Sequence, residues 1–276
     1  MRENGTVFIE NYEITACHGV NEEEKVNSQR FLVSVRLEQD VTAAGISDNV
    51  GETTSYSAVC KRIKSFFLQK SANLLEYLAL NCARMIIEDF PLVKSAEVTV
   101  RKPDAPMKGI FDAVGVTARV RRSVVYLSMG SNIGDRQAYM DNAVRLLAAD
   151  PLIFDVEESR RIETAPYGGV ARDVFVNSVL RIETAHTPYT LLGCLHKIEA
   201  ECGRVRKERW GNRTLDLDIV FFDDEVLDEG ELIIPHADMA NRLFVLEPLA
   251  ELAPYKVHPV TRRRVVDMLN DLRGKA

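Results

Sequence analysis

Nothing in this chain of 276 residues approaches the eighteen or more consecutive apolar residues of a membrane-spanning helix, so no membrane partner is expected. The opening Met1-Arg-Glu-Asn-Gly5 lacks the apolar core of a signal peptide, and the expectation is a cytoplasmic protein. Cysteine is scarce: Cys17, Cys60, Cys82, Cys194 and Cys202 are odd in number and contain no C-x-x-C pair. That pattern argues against a disulfide framework and against a structural zinc site, leaving reduced thiols buried mostly in helices. An excess of positive charge is missing as well. The 41 acidic and 35 basic residues give a formal net charge of -6, which argues against gripping a nucleic-acid backbone. There is no G-x-x-x-x-G-K-[ST] phosphate loop, no internal repeat and no low-complexity tract.

What is present is a globular composition, 46% hydrophobic and 28% charged, at a length that favours two domains over one core. Strand patterns over 6–15 and 30–41 precede helical stripes over 56–69 and 73–89, and strands return at 95–102 and 112–121. This ββααββ order predicts an α+β unit, an antiparallel sheet with both helices on one face and the other face left for a second subunit. Arg119-Val-Arg-Arg-Ser123 interrupts the apolar pattern, which puts a domain boundary at 121/122. The second half reads as strand 124–129, the turn Gly130 to Gly134, a helix from the N-cap Asp135 to about 149, strands over 153–163 and 174–184, a helix over 189–202, a strand from Leu215 to Phe222, a long loop through Pro235, and a helix from 265. Its mixed order again predicts α+β.

Leu215-Asp-Leu-Asp218 carries the strongest chemical signal. Side chains alternate along a strand, so Asp216 and Asp218 share a face about 7 Å apart, a spacing that can hold one or two hard cations. Just upstream lie Arg204, Arg206, Lys207, Arg209 and Arg213, the groups that clamp phosphate oxygens. An isolated D-x-D is more often a solvated strand face. Here Val220, Ile219, Phe221 and Phe222 continue an apolar strand of central character, where two carboxylates call for metal or arginine partners. The pattern points to metal-dependent phosphoryl transfer.

Gly130-Ser-Asn132, Thr164-Ala-Pro-Tyr-Gly168, Asn177, Arg204-Val-Arg206, Arg209-Trp-Gly-Asn-Arg-Thr-Leu-Asp-Leu-Asp218, Pro235-His236, Asn241-Arg242 and Phe244 follow in one order. Together they resemble hydroxymethyl-dihydropterin pyrophosphokinase, an enzyme of folate biosynthesis, over 122–276. The resemblance implies a ferredoxin-like α+β domain that moves a pyrophosphoryl group from ATP to 6-hydroxymethyl-7,8-dihydropterin, releasing AMP. It implies two Mg2+ ions on Asp216 and Asp218, and phosphate clamping by Arg204, Arg213 and Arg242. His236 would hydrogen-bond a phosphate or substrate oxygen, and Trp210 would close as a lid. The pterin would lie among Thr164, Pro166, Tyr167, Asn177 and Phe244, with His196, Glu199, Arg206, Lys207, Arg213 and Ile219 on the ATP side. Ala237 and His196 depart from the family pattern, where an aromatic residue and a glutamine are common.

In the first half Cys17-His-Gly19, Glu24 before Gln29 and Phe31, Asp48-Asn-Val50 with Tyr56, Asn73-Leu-Leu-Glu76 and Lys102-Pro103 resemble dihydroneopterin aldolase across 1–121. That resemblance implies a tunnelling-fold-like domain cleaving dihydroneopterin to glycolaldehyde and 6-hydroxymethyl-dihydropterin, with no cofactor. Lys102 would be the acid/base, Tyr56 would assist proton transfer, and Glu24 would hold the substrate hydroxyls. Leu75 and Glu76 would bind the pterin, Glu76 as a buried carboxylate. Three successive glutamates leave Glu23 as the alternative to Glu24. Tyr56 is expected from a neighbouring subunit, which implies a homo-oligomer, a tetramer or octamer. The alternatives are an epimerase sharing the same retro-aldol intermediate, and an RNA-binding module, which the charge balance disfavours.

Overall fold

The computed structural model describes residues 3–165, 173–204 and 213–274, and the chain divides into two units, Met1–Arg122 and Ser123–Ala276. In the first unit β1 (Asn4–Ala16), β2 (Gln29–Asp40), β3 (Val93–Lys102) and β4 (Val114–Arg121) form an antiparallel sheet in that order. The short helices α1 (Glu22–Val26) and α2 (Thr42–Ser47) punctuate its connections, and α3 (Tyr56–Gln69) and α4 (Leu75–Asp89) fill the long one. Strict alternation on β2 sends Phe31, Val33, Val35 and Leu37 into the core, each at most 1% exposed. Val59, Ile63 and Phe67 of α3 and Leu78, Cys82 and Ile86 of α4 are buried too, with Phe67 edge-on to Phe31. The other face is polar and laced with exposed pairs such as Arg119–Glu97 and Arg36–Glu10.

The second unit runs β5 (Ser123–Ser131), α5 (Arg136–Ala149), β6 (Ile153–Glu158), β7 (Ile162–Thr164), β8 (Phe175–Thr184), α6 (Pro188–Glu201), β9 (Asp216–Phe222), β10 (Leu227–Glu229), β11 (Leu232–Ile234), α7 (Leu243–Leu252) and α8 (Val265–Arg273). The main sheet is antiparallel in the order β6-β8-β5-β9, with β7 added to β8, and α5 and α6 as the connections, which is the ferredoxin-like βαββαβ arrangement. Asp135 and Thr187 cap α5 and α6 by accepting from Ala138 and Thr190 amides. Both faces of the sheet are covered. Val125, Leu127 and Met129 pack with Met140, Leu147, Leu191 and Leu195 on one side, while Tyr126, Val179 and Phe221 meet Val245, Leu249, Val265 and Met268 on the other.

Three expectations are corrected. Among the described residues β9 pairs only with β5, which makes it an edge strand and not a central one. Its residues look central because the α5/α6 core takes Leu217, Ile219 and Phe222 while the α7/α8 core takes Val220 and Phe221. The loop through Pro235 contains the hairpin β10/β11, and α7 precedes the terminal helix. The apolar Leu243-Phe-Val-Leu246, followed by Pro248 inside the helix, hid its 3.6-residue period. Among the thiols, Cys82 and Cys202 are buried, and Cys17 lies outside any helix.

Candidate active sites

In the first unit the sequence lays Cys17-His-Gly19, α1 and the end of β3 against one another. Of the three glutamates that open α1, only Glu24 is buried. Its carboxylate turns back to accept from the Asn21 amide at 3.1 Å, one half of a capping box, and forms an ion pair with Lys102 Nζ. Lys102, the last residue of β3, is 7% exposed and lies 3.4 Å from the His18 carbonyl. Gln29 Nε2 donates to that carbonyl at 2.7 Å. Gly19 is required here, since a Cβ on it would sit 2.4 Å from the Glu24 carboxyl carbon. Burial pushes the Glu24 carboxyl up, but hydrogen bonds from Lys102, Asn21 and Gln29 outweigh it and hold the group below its ordinary range.

His18 is buried between Phe31 and Phe67, its ring edge-on to both, and Nδ1 accepts from the Ala72 amide at 3.1 Å. Burial, the leading effect, lowers its pKa. The imidazole thus ties the loop that carries Gly19 to the segment that starts α4, where Leu75 and Glu76 sit. Tyr56 opens α3 and is 68% exposed, and Glu76 is exposed in the first turn of α4. Among the described residues no hydrogen bond joins Tyr56 or Glu76 to Glu24 or Lys102. Glu76, expected to be a buried carboxylate, is thus exposed in one chain, because no described residue covers the N-terminus of α4. Leu74, Tyr77, Val26 and Val50 are exposed apolar side chains of the same segments.

In the second unit Asp216, Asp218, Arg204 and Arg213 come together at the start of β9. Asp216 pairs with Arg204 Nη1 at 2.6 Å and with Arg213 Nη1. Arg204 is also paired to Glu199 of α6, which is 2% exposed and accepts from the Leu217 amide at 2.9 Å. Asn132 and Arg213 exchange two bonds: Arg213 N donates to Asn132 Oδ1 at 2.7 Å, and Asn132 N to Arg213 O at 3.1 Å. Among the described residues nothing pairs with the Asp218 carboxylate. Burial first, then the neighbouring Asp216, push its pKa up to about 7. A carboxylate so placed, beside a second one on the same strand face, fits the donor set of a hard divalent cation.

Arg242 is bound by Asp238 at 2.9 Å, with its guanidinium 5.7 Å from the Phe244 ring centroid. His236 accepts from the Asp238 amide through Nδ1, and burial first, then Arg242, lower its pKa. Asn177 of β8 lies beside Gly130 and donates to Thr164 Oγ1 at 2.7 Å. A Cβ at Gly130 would come within 2.7 Å of the Asn177 carbonyl oxygen. A cleft of about 440 Å3 next to it is lined by Asn132, Ile133, Gly134, Arg136, Asp173 and Val174. His196 sits one turn before Glu199 on α6, and Ile219 is packed in the α5/α6 core, 5% exposed. Pro166, Tyr167, Arg206, Lys207 and Trp210 lie outside the described residues.

Asn21 beside Glu24 and Asp238 beside Arg242 were not singled out from sequence, and His18, Gln29 and Asn132 belong to the motifs read there but were given no role of their own. The N-x-x-E spacing from Asn21 to Glu24 is the signal that separates Glu24 from Glu23.

Comparison with known proteins attaches both arrangements to families. Residues 7–119 match the family model for dihydroneopterin aldolase, and residues 126–254 that for 7,8-dihydro-6-hydroxymethylpterin-pyrophosphokinase. The 2-amino-4-hydroxy-6-hydroxymethyldihydropteridine pyrophosphokinase of Methylorubrum extorquens is 43% identical over 129 residues, 47% of this chain and 82% of that protein. The Bifunctional protein FolKE of Lactococcus lactis is 48% identical over 127 residues, 46% of this chain and 36% of that one. The Folic acid synthesis protein FOL1 of Dictyostelium discoideum is 29% identical over 280 aligned positions, 92% of this chain and 42% of that one. The chain thus spans well under half the length of these last two relatives. With the aspartate pair, its arginines and most of a known pyrophosphokinase matched by the second unit, the chain belongs to the 7,8-dihydro-6-hydroxymethylpterin-pyrophosphokinase family.

Proposed function

We propose that the chain is a bifunctional folate-biosynthesis enzyme, an aldolase over residues 1–121 and an ATP-dependent diphosphotransferase over 122–276. The observation that carries the reading is that one chain matches both family models, and it is supported by the buried Lys102–Glu24 pair in one unit and the arginine-flanked aspartates in the other. The first reaction cleaves 7,8-dihydroneopterin to glycolaldehyde and 6-hydroxymethyl-7,8-dihydropterin. The second transfers pyrophosphate from ATP to that product.

In the first unit, Lys102 and Glu24 form a proton-exchanging pair in a buried pocket. Lys102, directly or through water, takes the proton of the side-chain hydroxyl, the carbon–carbon bond breaks with its electron pair moving into the ring imine, and Lys102 returns that proton to the carbon left behind. Glu24 holds the hydroxyls, and His18 positions the loop whose carbonyl faces the Lys102 ammonium. Leu75 and Glu76 bind the pterin. The exposed Tyr56 and Glu76, with the apolar side chains around them, support a homo-oligomer in which a neighbouring subunit completes the site and buries Glu76.

In the second unit, Asn177 and Thr164 read the pterin edge, Phe244 stacks on it, and Arg204, Arg213 and Arg242 hold the triphosphate, with His236 on a phosphate oxygen. Mg2+ held by Asp216 and Asp218 would neutralise the charge on the polyphosphate. Glu199 acts on the nucleotide through Arg204. No helix of the described residues is long and apolar enough to cross a membrane.

One coupled assay tests both halves: dihydroneopterin with ATP and Mg2+ should yield glycolaldehyde, AMP and the pterin diphosphate. A stereoisomer of dihydroneopterin without glycolaldehyde would overturn the aldolase reading, and ADP in place of AMP the pyrophosphokinase reading.

A further inference from the structure

Away from both sites, one cluster combines three side chains of types that ligate transition metals. Asp150 ends α5, His186 follows the end of β8 and Cys194 lies in the second turn of α6, and one donor atom of each falls within 4.8 Å of the others. His186 Nε2 is 3.1 Å from Asp150 Oδ1, and Cys194 Sγ is 3.3 Å from Asp150 Oδ2. Zinc bonds of about 2.0–2.3 Å at tetrahedral angles set neighbouring donor atoms about 3.3–3.6 Å apart. The two short contacts use different oxygens of Asp150, and one donor atom from each of the three residues lies within 4.8 Å of the others, a separation that small side-chain rotations close to that spacing.

We propose that Asp150, His186 and Cys194 form a binding site for a zinc-class divalent metal, with water as the fourth ligand. A thiolate, an imidazole and a carboxylate together suit Zn2+ or Co2+ and not Mg2+, whose preferred partners are oxygens alone. A supporting contact for the imidazole is in place. His186 Nδ1 is 3.1 Å from Thr190 Oγ1, and that hydroxyl can give its own proton to the Thr187 carbonyl at 3.2 Å. The Nδ1–H tautomer, which leaves Nε2 free for the metal, therefore has an acceptor. On binding, the Cys194 S–H bond breaks, its proton goes to water and a sulfur–metal bond forms, with no change of oxidation state.

Strand register puts this site at the opposite end of the sheet from the aspartate pair. Ser123 of β5 is opposite Thr184, whereas Gly130 is opposite both Asn177 and Asp216, seven residues or about 23 Å along the strand. The metal is thus a clamp between the end of α5 and the start of α6, and takes no part in phosphoryl transfer. Its ligands are 36 and 8 residues apart in sequence, as 186 minus 150 and 194 minus 186, a spacing that no short cysteine motif reveals.

The test uses the metal-free, reduced full chain titrated with Co2+. A thiolate-to-cobalt charge-transfer absorption should appear, saturate at one Co2+ per chain and be abolished by Zn2+. Cobalt at Asp216 and Asp218 has no sulfur ligand and adds nothing to it. Cys194→Ala and, separately, His186→Asn should remove the saturable absorption, while Cys17→Ala and Cys60→Ala keep it. Zn2+ at 100 times its Kd should lower the unfolding constant of the wild-type chain about 100-fold and leave that of Cys194→Ala unchanged. Absence of the absorption in the wild-type chain, or its persistence in both Cys194→Ala and His186→Asn, would overturn the proposal.

Discussion

Replacing Glu199 tests whether the aspartate strand is held from beneath by α6. Glu199→Ala removes the acceptor of the Leu217 amide and one of the two carboxylates on Arg204. A hydrogen bond to a buried charged group contributes about 1.5–3 kcal/mol, and breaking a buried ion pair raises the loss to roughly 3–5 kcal/mol. For a unit of this size that is a fall in melting temperature of roughly 10–15 °C. Glu199→Gln keeps an acceptor for Leu217 and loses only the charge, so its cost should be about 1–2 kcal/mol. Circular dichroism melting of the full chain should give falling midpoints in the order wild type, Gln, Ala, and AMP formation should fall in the same order as Arg204 loses its aim. If Glu199→Ala melts with the wild type while its affinity for an ATP analogue collapses, Glu199 touches nucleotide and the support argument is wrong.

Lys102→Met strands the buried Glu24 carboxylate, so urea unfolding should show a loss of about 3–5 kcal/mol and glycolaldehyde release should stop while AMP formation persists. Adding Glu24→Gln should recover part of that stability, and strict additivity of the two changes would show that the pair is not coupled. Glu24 is held below the ordinary carboxylate range, so the stability it adds is present above its usual pKa and is lost as pH falls through its lower folded value. Urea midpoints of wild type and Glu24→Gln should therefore converge as pH drops from 7 toward 3, and a constant gap would contradict this. Gly130→Ala pushes a methyl group into the Asn177 carbonyl, costing about 1–3 kcal/mol and raising KM for the pterin alcohol in AMP formation. Glycolaldehyde release should be unchanged.

Much of this molecule is legible in its residues because local rules and packing agree. The period of Val59, Ile63 and Phe67 gives α3 its bounds, and Asp135 caps α5 as its position ahead of the apolar stripe implies. Asp216 and Arg213 could be put together because they are three residues apart on a segment of known direction. What stayed hidden depends on chain segments far apart in sequence. That β9 is an edge strand cannot be read from Asp216 to Phe222, since two cores on opposite faces bury it as fully as two neighbouring strands would. That Glu199 accepts from the Leu217 amide and pairs with Arg204 could not be read from its place on α6, because both partners lie beyond that helix. The exposure of Glu76 was not legible either, since its place in the first turn of α4 says nothing about what packs over that turn.

The edge position of β9 also bears on how the protein behaves at high concentration. An apolar strand with an open side offers its backbone groups to any other extended chain, and Asp-Leu-Asp-Ile-Val-Phe-Phe has the composition for such pairing. Here two of those groups are engaged: Leu217 N–H by the Glu199 carboxylate and the Val220 carbonyl by the His236 amide. Loss of either contact would leave a sticky seam, so variants at these positions should be judged by solubility and turbidity as well as by turnover.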